Sequence, residues 1–313
     1  MLGFVLRRAG AGLLLVFVIS FVTYLLLSIP DNDVARALLG SNAPESLVRA
    51  KNAELGVDRP VLVQYLDWLS HAVRGDLGRS WFTSENVSTA IAARLPVTLS
   101  LMVGVTLLTA LVAFALGTWA GVRRGAADRF VQVLGVLGYA LPGFLVTLVI
   151  VLVFAVRLGW FPAIGYIPLT DSVSGWLSTI TLPILSLSIS AVAGTSQQVR
   201  SAVIEVSRQD YVRTLRSRGL PTRTILCKHV LRNASAPALT VLGMQFVGLL
   251  GGTVLVEQIF GLPGLGSMAV QYTTRGDIPV IMGLLTVTVI GVVLINLAVD
   301  LAIGLLNPKA RRA

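Results

Sequence analysis

Residues 280–306 read VIMGLLTVTVIGVVLINLAVDLAIGLL, an apolar run interrupted by a single charge, Asp300, with one amide, Asn296, four residues before it. A bilayer core about 30 Å thick is crossed by roughly 20 residues of helix, and this run is long enough to cross it. Five upstream stretches have the same character, near residues 9–29, 97–120, 131–156, 180–199 and 238–256. They predict an all-α polytopic membrane protein with six transmembrane helices. The bulk composition agrees: of 313 residues 55% are hydrophobic and 13% charged, with a mean hydropathy of +0.81, against about 25% charged in soluble domains.

The net charge of +10 is distributed by side rather than gathered into a nucleic-acid-binding face. With the first span starting inside, the inner pieces hold Arg7 and Arg8, then Arg123, Arg124 and Arg129, then eight cations from Arg200 to Arg232, then Lys309, Arg311 and Arg312. That places 16 of the 25 basic residues, but only Asp128, Glu205 and Asp210 of the 15 acids, on one side. This is the positive-inside bias, and it predicts that both termini are cytoplasmic. The pattern leaves a nucleic-acid role nothing to explain. The first span follows Arg7 and Arg8 as a signal peptide would, yet its apolar run exceeds the roughly 7 to 15 residues of a signal core, so it is read as retained.

The outer side carries one large segment, residues 30–96. After Pro60 it has apolar residues at helical spacing, from Val61 to Leu69, predicting a short amphipathic helix at the outer surface. Such a helix can receive an external partner or merely seal the mouth of the bundle. In the spans, Gly117 and Gly121, Gly135 and Gly138, and Gly248 and Gly252 are spaced to let helices approach closely. Pro142-Gly143 and Pro183 are placed where a lost backbone hydrogen bond permits a kink.

Several chemistries lack their parts. A P-loop needs a Gly-Lys pair, whereas Lys51, Lys228 and Lys309 follow Ala50, Cys227 and Pro308. Ion-coupled carriers usually bury carboxylates or histidines at mid-membrane, but His71 and His229 fall in loops and Asp300 lies near a span end. A single cysteine, Cys227, allows no intramolecular disulfide and no multi-cysteine metal site, and the sequence has no His-Glu-x-x-His. Gly194-Thr195-Ser196 has no histidine in any span to act as its base. No catalytic and no metal-ligating residues are assigned. Ser186, Ser190 and Gln197 share one side of the fourth span, and Gln245 and Asn296 are mid-span amides. These five are candidates for a translocation path, although each taken singly is read first as an interhelical hydrogen bond.

Between the fourth and fifth spans, in the segment 200–235, residues 207–221 read SRQDYVRTLRSRGLP. Asp210 suits an N-cap, Arg216 and Arg218 suit the negative end of a helix, Gly219 suits a left-handed stop, and Pro221 blocks continuation. The expected object is a two-turn helix on the cytoplasmic surface, with Tyr211, Val212 and Leu215 forming an apolar ridge that would fit a partner's groove. Without a relative to compare, these arginines could instead only fix topology or bind anionic lipid.

This stretch resembles the cytoplasmic coupling loop of the dipeptide, oligopeptide and nickel importer permeases of the ABC superfamily. Arg213-Thr214-Leu215 stands where that family has Glu-Ala-Ala, and Gly219 matches its glycine. The resemblance continues through Phe4 to Arg8, Ala35 to Gly40, Arg74-Gly75-Asp76-Leu77-Gly78-Arg79-Ser80, Arg94-Leu95-Pro96-Val97-Thr98 and Leu158-Gly159-Trp160-Phe161-Pro162. Its second specific block is Glu257-Gln258-Ile259-Phe260-Gly261-Leu262-Pro263-Gly264-Leu265-Gly266, with Glu257, Phe260, Pro263, Gly264 and Gly266 as an extracytoplasmic motif. Pro30-Asp31-Asn32-Asp33 departs from the Pro-Gly-Asp-Pro of relatives.

The resemblance implies a type I ABC importer permease fold in a bacterial cytoplasmic membrane, in contact with lipid and paired with a second, homologous permease. It implies two cytoplasmic ATPase subunits that hold ATP and Mg, an extracytoplasmic substrate-binding protein, and no cofactor on this chain. Asp210, Tyr211, Val212, Arg213, Thr214, Leu215, Arg216, Ser217, Arg218 and Gly219 would couple to an ATPase. The solute would be a peptide or a similar small molecule. A partner-independent channel or carrier, and a membrane scaffold that moves nothing, are the other classes to be excluded.

Overall fold

In a computed structural model, residues 2–29 and 34–306 are described; the departure at residues 30–33 and the cations Lys309, Arg311 and Arg312 lie outside the described residues. The helices are α1 (Leu2–Ser28), α2 (Val34–Leu39), α3 (Glu45–Leu55), α4 (Val61–Ala72), α5 (Val87–Arg123), α6 (Ala126–Ala140) and α7 (Gly143–Ile150). They continue with α8 (Val173–Ser207), α9 (Asp210–Ser217), α10 (Thr222–Thr224), α11 (Leu231–Ile259), α12 (Leu265–Arg275) and α13 (Ile278–Leu306). Wider, π-type turns extend α7 over Val151–Arg157 and join α10 to α11 over Ile225–Val230. Among the described residues the only β-type pairing is an isolated bridge between Arg79 and Asn86.

Among the described residues, five helical stretches are long and apolar enough to cross a membrane: Gly10–Ser28, Val87–Arg123, Val173–Ser207, Thr222–Ile259 and Ile278–Ala302. A bent pair, Ala126–Gly138 and Gly143–Arg157, whose axes meet at 98°, makes a sixth when its two halves are taken as one broken span. The apolar run at residues 131–156 therefore does not form one straight helix. Proline drives the preceding residue out of the helical region, and Leu141 is extended at φ −87° and ψ 121°. Pro96, Pro183 and Pro237, by contrast, remain inside α5, α8 and α11.

The described chain separates into two compact units, one from residues 1–96 and 267–294, the other from 97–266 and 295–306. In the first, α4 rests on α1. Tyr65 is 1% exposed, its ring edge-on to Phe21 and Tyr24 at centroid distances of 5.1 and 5.7 Å, and its hydroxyl lies 3.0 Å from that of Ser20. Such aromatic contacts add about 0.5–1.5 kcal/mol each beyond area burial. Leu62, Val63 and Leu66, on the far side of α4, are exposed. Asp277 begins α13 as its cap, with Oδ1 3.4 Å from the Val280 amide, and its other oxygen accepts a 2.6 Å bond from Ser80. That bond ties the Arg74–Ser80 loop to the helix start.

In the second unit α8 packs between α6 and α11 and is the most buried of the long apolar helices. Close approach follows the glycines only in part. A Cβ on Gly117 would stand 2.7 Å from the Ser196 carbonyl, and one on Gly135 or Gly138 would collide with Gln197 or Ala193. Gly248 meets nothing within 4 Å, whereas a Cβ on Gly252 would meet Leu187 at 3.8 Å, so within the described chain only Gly252 of that pair faces a neighbouring helix. Arg200 and Asp128 form an ion pair between α8 and α6.

Candidate coupling site and translocation path

Helix α9 forms where its punctuation predicts, with one shift. Gln209, not Asp210, is the N-cap, at φ −67° and ψ 148° and without a side-chain cap bond. Asp210 is the first helical residue. The extended-to-helical switch occurs one residue earlier than the best capping side chain, and the Gln209 carbonyl accepts from Val212 N at 3.0 Å. The Asp210 carboxylate still faces the positive helix end, 3.9 Å from Arg213. At the other end Gly219 N bonds to Arg216 O (3.0 Å) and Leu220 N to Leu215 O (3.3 Å), a Schellman-type closure. Gly219 has φ +77° and open space where a Cβ would be. Its backbone conformation, not crowding, demands glycine.

The apolar ridge is turned inward. Val212 is fully buried, and Tyr211, Leu215 and Leu220 pack with it against a cluster containing Val199, Val203, Val206, Ile225 and Val230. Asn233 donates a 2.8 Å hydrogen bond to the Tyr211 hydroxyl. Val212 is thus taken up by the chain itself, by α8 together with the π-type turns at Ile225–Val230 and the start of α11, while Tyr211 and Leu215 are half-buried beside it. What α9 leaves outward is Asp210, Arg213, Thr214, Arg216 and Ser217, followed by Arg218, all exposed.

The block from Glu257 to Gly266 is organised around a buried carboxylate. Glu257 is fully buried and accepts a 2.7 Å hydrogen bond from the Thr98 hydroxyl. The same hydroxyl accepts 2.8 Å from Leu265 N, the first amide of α12. A Cβ on Gly264 would run into the Glu257 carboxylate, and one on Gly266 would stand 2.7 Å from Val254 Cα and 2.9 Å from Glu257 Oε2. Both glycines are small because the acid occupies the space. Phe260, 1% exposed, shares a core with Val97, Leu101 and Phe161, its carbonyl accepting from Gly165 N at 2.9 Å. Pro263 is exposed. Three blocks far apart in sequence, at Val97-Thr98, Phe161 and Phe260, therefore meet in one cluster, and Thr98 is the partner that sequence reasoning missed.

The five path candidates are not gathered at one surface. Ser186 is buried and donates to Leu182 O at 2.8 Å. Gln245 accepts a 2.7 Å bond from Thr195, joining α11 to α8. Ser190 and Gln197 are half-buried and Asn296 is exposed. The feature unforeseen from sequence is a continuous exposed face of α11 through Thr240, Met244, Gly248, Gly251 and Leu255, at helical spacing, with open space beside both glycines.

Comparison with known proteins decides the affiliation. The family of binding-protein-dependent transport system inner membrane components matches residues 113–312, and the N-terminal part of such membrane components matches residues 1–102. The chain belongs to that family. This inner-membrane permease is 38% identical over 312 residues to a putative peptide transport system permease protein of Brucella abortus, with 99% of each chain covered. It is 33% identical to a probable peptide ABC transporter permease protein of Sinorhizobium fredii, covering 98% of this chain and 99% of the relative. A glutathione transport system permease protein of Escherichia coli is also 33% identical, with 99% of each covered. Among solved structures, the inward-facing MetNI methionine ABC transporter matches with a TM-score of 0.55 at 18% identity, over 69% of this chain and 96% of that chain. The permease thus has a type I ABC importer fold and is a multi-pass membrane component of a transport system with ATPase and binding-protein partners.

Proposed function

We propose that this permease carries short peptides or similar small polar solutes inward across the cytoplasmic membrane, with both of its termini in the cytoplasm. It works beside a second, homologous permease, and ATP and Mg are held by two ATPase subunits rather than by this chain, which binds no cofactor and catalyses no reaction. The outward face of α9, with Arg213, Thr214, Arg216 and Ser217, sits in a cleft of one ATPase, and Tyr211, Val212 and Leu215 transmit its displacement to the bundle. Closure of the ATPases then tilts the spans from inward- to outward-facing, a bistable rigid-body switch. An extracytoplasmic binding protein delivers the solute. The exposed face of α11 is the proposed wall of the path, with Asn296 as a second polar candidate and Ser186, Ser190, Gln197 and Gln245 behind it.

The observation that carries this reading is the polarity of α9: its apolar side packs on the chain through buried Val212 and half-buried Tyr211 and Leu215, while its charged side is left outward. The peptide assignment is supported by the Brucella and Sinorhizobium relatives. The test is uptake of trialanine into vesicles containing the complete complex. Wild type should accumulate it only with ATP, and the pair Arg213→Glu, Arg216→Glu should lower uptake at least about tenfold, the equivalent of one or two exposed ion pairs plus repulsion, at unchanged protein level. Uptake without ATP would mark a channel or carrier, and transport of nothing under any condition a scaffold.

A further inference from the structure

The turn between α5 and α6 joins an aromatic pair to a group of cations. Arg124 (φ +52°) and Gly125 (φ +62°) both have positive φ, which lets the chain turn there, and Trp119 on α5 meets Phe130 on α6 edge-on with ring centroids 6.4 Å apart. The contact does not bury them: Trp119 is 44% and Phe130 53% exposed. Exposed apolar residues lead away from the pair along both helices, Leu107, Leu111 and Ala115 at steps of four on α5, Val133 and Leu137 on α6. Toward the turn the same rows end in charge. Arg123 follows Trp119 by one turn of α5 and Arg129 precedes Val133 by one turn of α6, and both arginines are exposed.

The order along these rows is that of a lipid leaflet: aliphatic side chains at the depth of acyl chains, then a tryptophan of the kind enriched at membrane–water interfaces, then arginine at the depth of headgroups. From Leu111 to Trp119 the helix rises about 12 Å, which fits within one half of a hydrocarbon core about 30 Å thick. Charge then selects the headgroup. The one acid near the turn, Asp128, is bonded by Arg200 and also feels the charge of Arg124. Arg123 and Arg129 have neither ion pair nor side-chain hydrogen bond among the described residues. A zwitterionic headgroup brings a cation of its own to this pair, whereas an anionic phosphodiester brings none, and each basic residue near an anionic surface favours it by about fivefold. A protein covering these faces would need apolar side chains opposite the rows and acids opposite the arginines. One anionic lipid supplies both, at the depths observed.

We infer that the α5–α6 turn is a binding site for an anionic phospholipid, with Arg123 and Arg129 on the phosphate, Trp119 and Phe130 beside the glycerol, and an acyl chain along the exposed rows. This goes beyond the transport reading and holds whichever solute is carried. The complete complex is placed in phosphatidylcholine nanodiscs doped with a lipid that carries a photoreactive diazirine near the glycerol, under either a phosphatidylglycerol or a phosphatidylcholine headgroup. Cross-links are mapped by mass spectrometry, with the exposed residues Val22 and Leu26 of α1 as the reference for the two probes. The phosphatidylglycerol probe should label residues 119–133 at least about fivefold more than the phosphatidylcholine probe, the preference expected from one to two cations. The pair Arg123→Gln, Arg129→Gln should bring the two probes level there, while Arg123→Lys, Arg129→Lys, which keeps both charges, should retain at least about half of the preference. Equal labelling of the wild-type turn by the two probes would overturn the site, as would an undiminished preference in the glutamine pair or a loss as complete in the lysine pair. Labelling by neither probe would overturn it in favour of a protein, the second permease, on this face.

Discussion

Helix α9 and the Glu257 block are both short, glycine-punctuated segments beside long helices, and they use their polar groups in opposite ways. In α9 the apolar residues Tyr211, Val212 and Leu215 face the chain and the charges face out. Around Glu257 the carboxyl group faces in, bonded to Thr98, and the exposed residue is Pro263. A buried carboxyl group bonded to a fixed donor holds its segment in one geometry, because any displacement leaves a polar group unpaired in a low-dielectric interior. An exposed arginine pair contributes almost nothing to the fold, so α9 can be altered on its outer face without cost to the permease. The first arrangement suits a rigid brace, the second a surface meant for another protein.

Substitutions should therefore separate the two regions sharply. The largest effect is expected from Glu257→Ala, which removes the centre of the brace and leaves the Thr98 hydroxyl without its acceptor. A loss of about 3 kcal/mol is expected, read as a lowered midpoint of thermal unfolding in detergent, with uptake lost because the protein is. Thr98→Val, which deletes one hydroxyl but keeps the volume, should cost about 1–2 kcal/mol. The double variant should cost clearly less than the sum, since both changes break the same network. Gly219→Ala should be milder still. The new methyl meets nothing, but the left-handed backbone costs an alanine about 1 kcal/mol, so α9 frays while the bundle stays intact. Strict additivity of Glu257→Ala and Thr98→Val, or a Gly219→Ala unfolding midpoint as low as that of Glu257→Ala, would break the contrast.

How much of this was legible in sequence differs between the regions for a physical reason. The bounds of α9 are local properties of Asp210, Gly219 and Pro221, and only the cap moved by one residue. Periodicity shows that Tyr211, Val212 and Leu215 share a face. It cannot say what covers that face, because Ile225 and Val230 are brought there by π-type turns that leave no periodic signature. The Glu257 block was recognisable as a motif, yet its partner Thr98 is 159 residues away, and no spacing rule joins them. Likewise Pro142 announced a kink, but the break between α6 and α7 depends on Leu141 adopting an extended backbone. Glycine spacing identified candidates for close packing without telling Gly117, pressed against α8, from Gly248, which faces open space.

The account depends on the outer face of α9 being covered by an ATPase. Cys227 is exposed, so the measurement starts from Cys227→Ser and places a single thiol by Arg213→Cys, on the face left outward. The rate of maleimide labelling is then compared for the permease alone and for the complex with its ATPase subunits, with Leu62→Cys on the exposed side of α4 as the reference. The account predicts labelling at Arg213→Cys at least about tenfold slower in the complex, as for a site buried in a specific interface, with no change at Leu62→Cys. Equal rates at Arg213→Cys with and without the ATPases would contradict it.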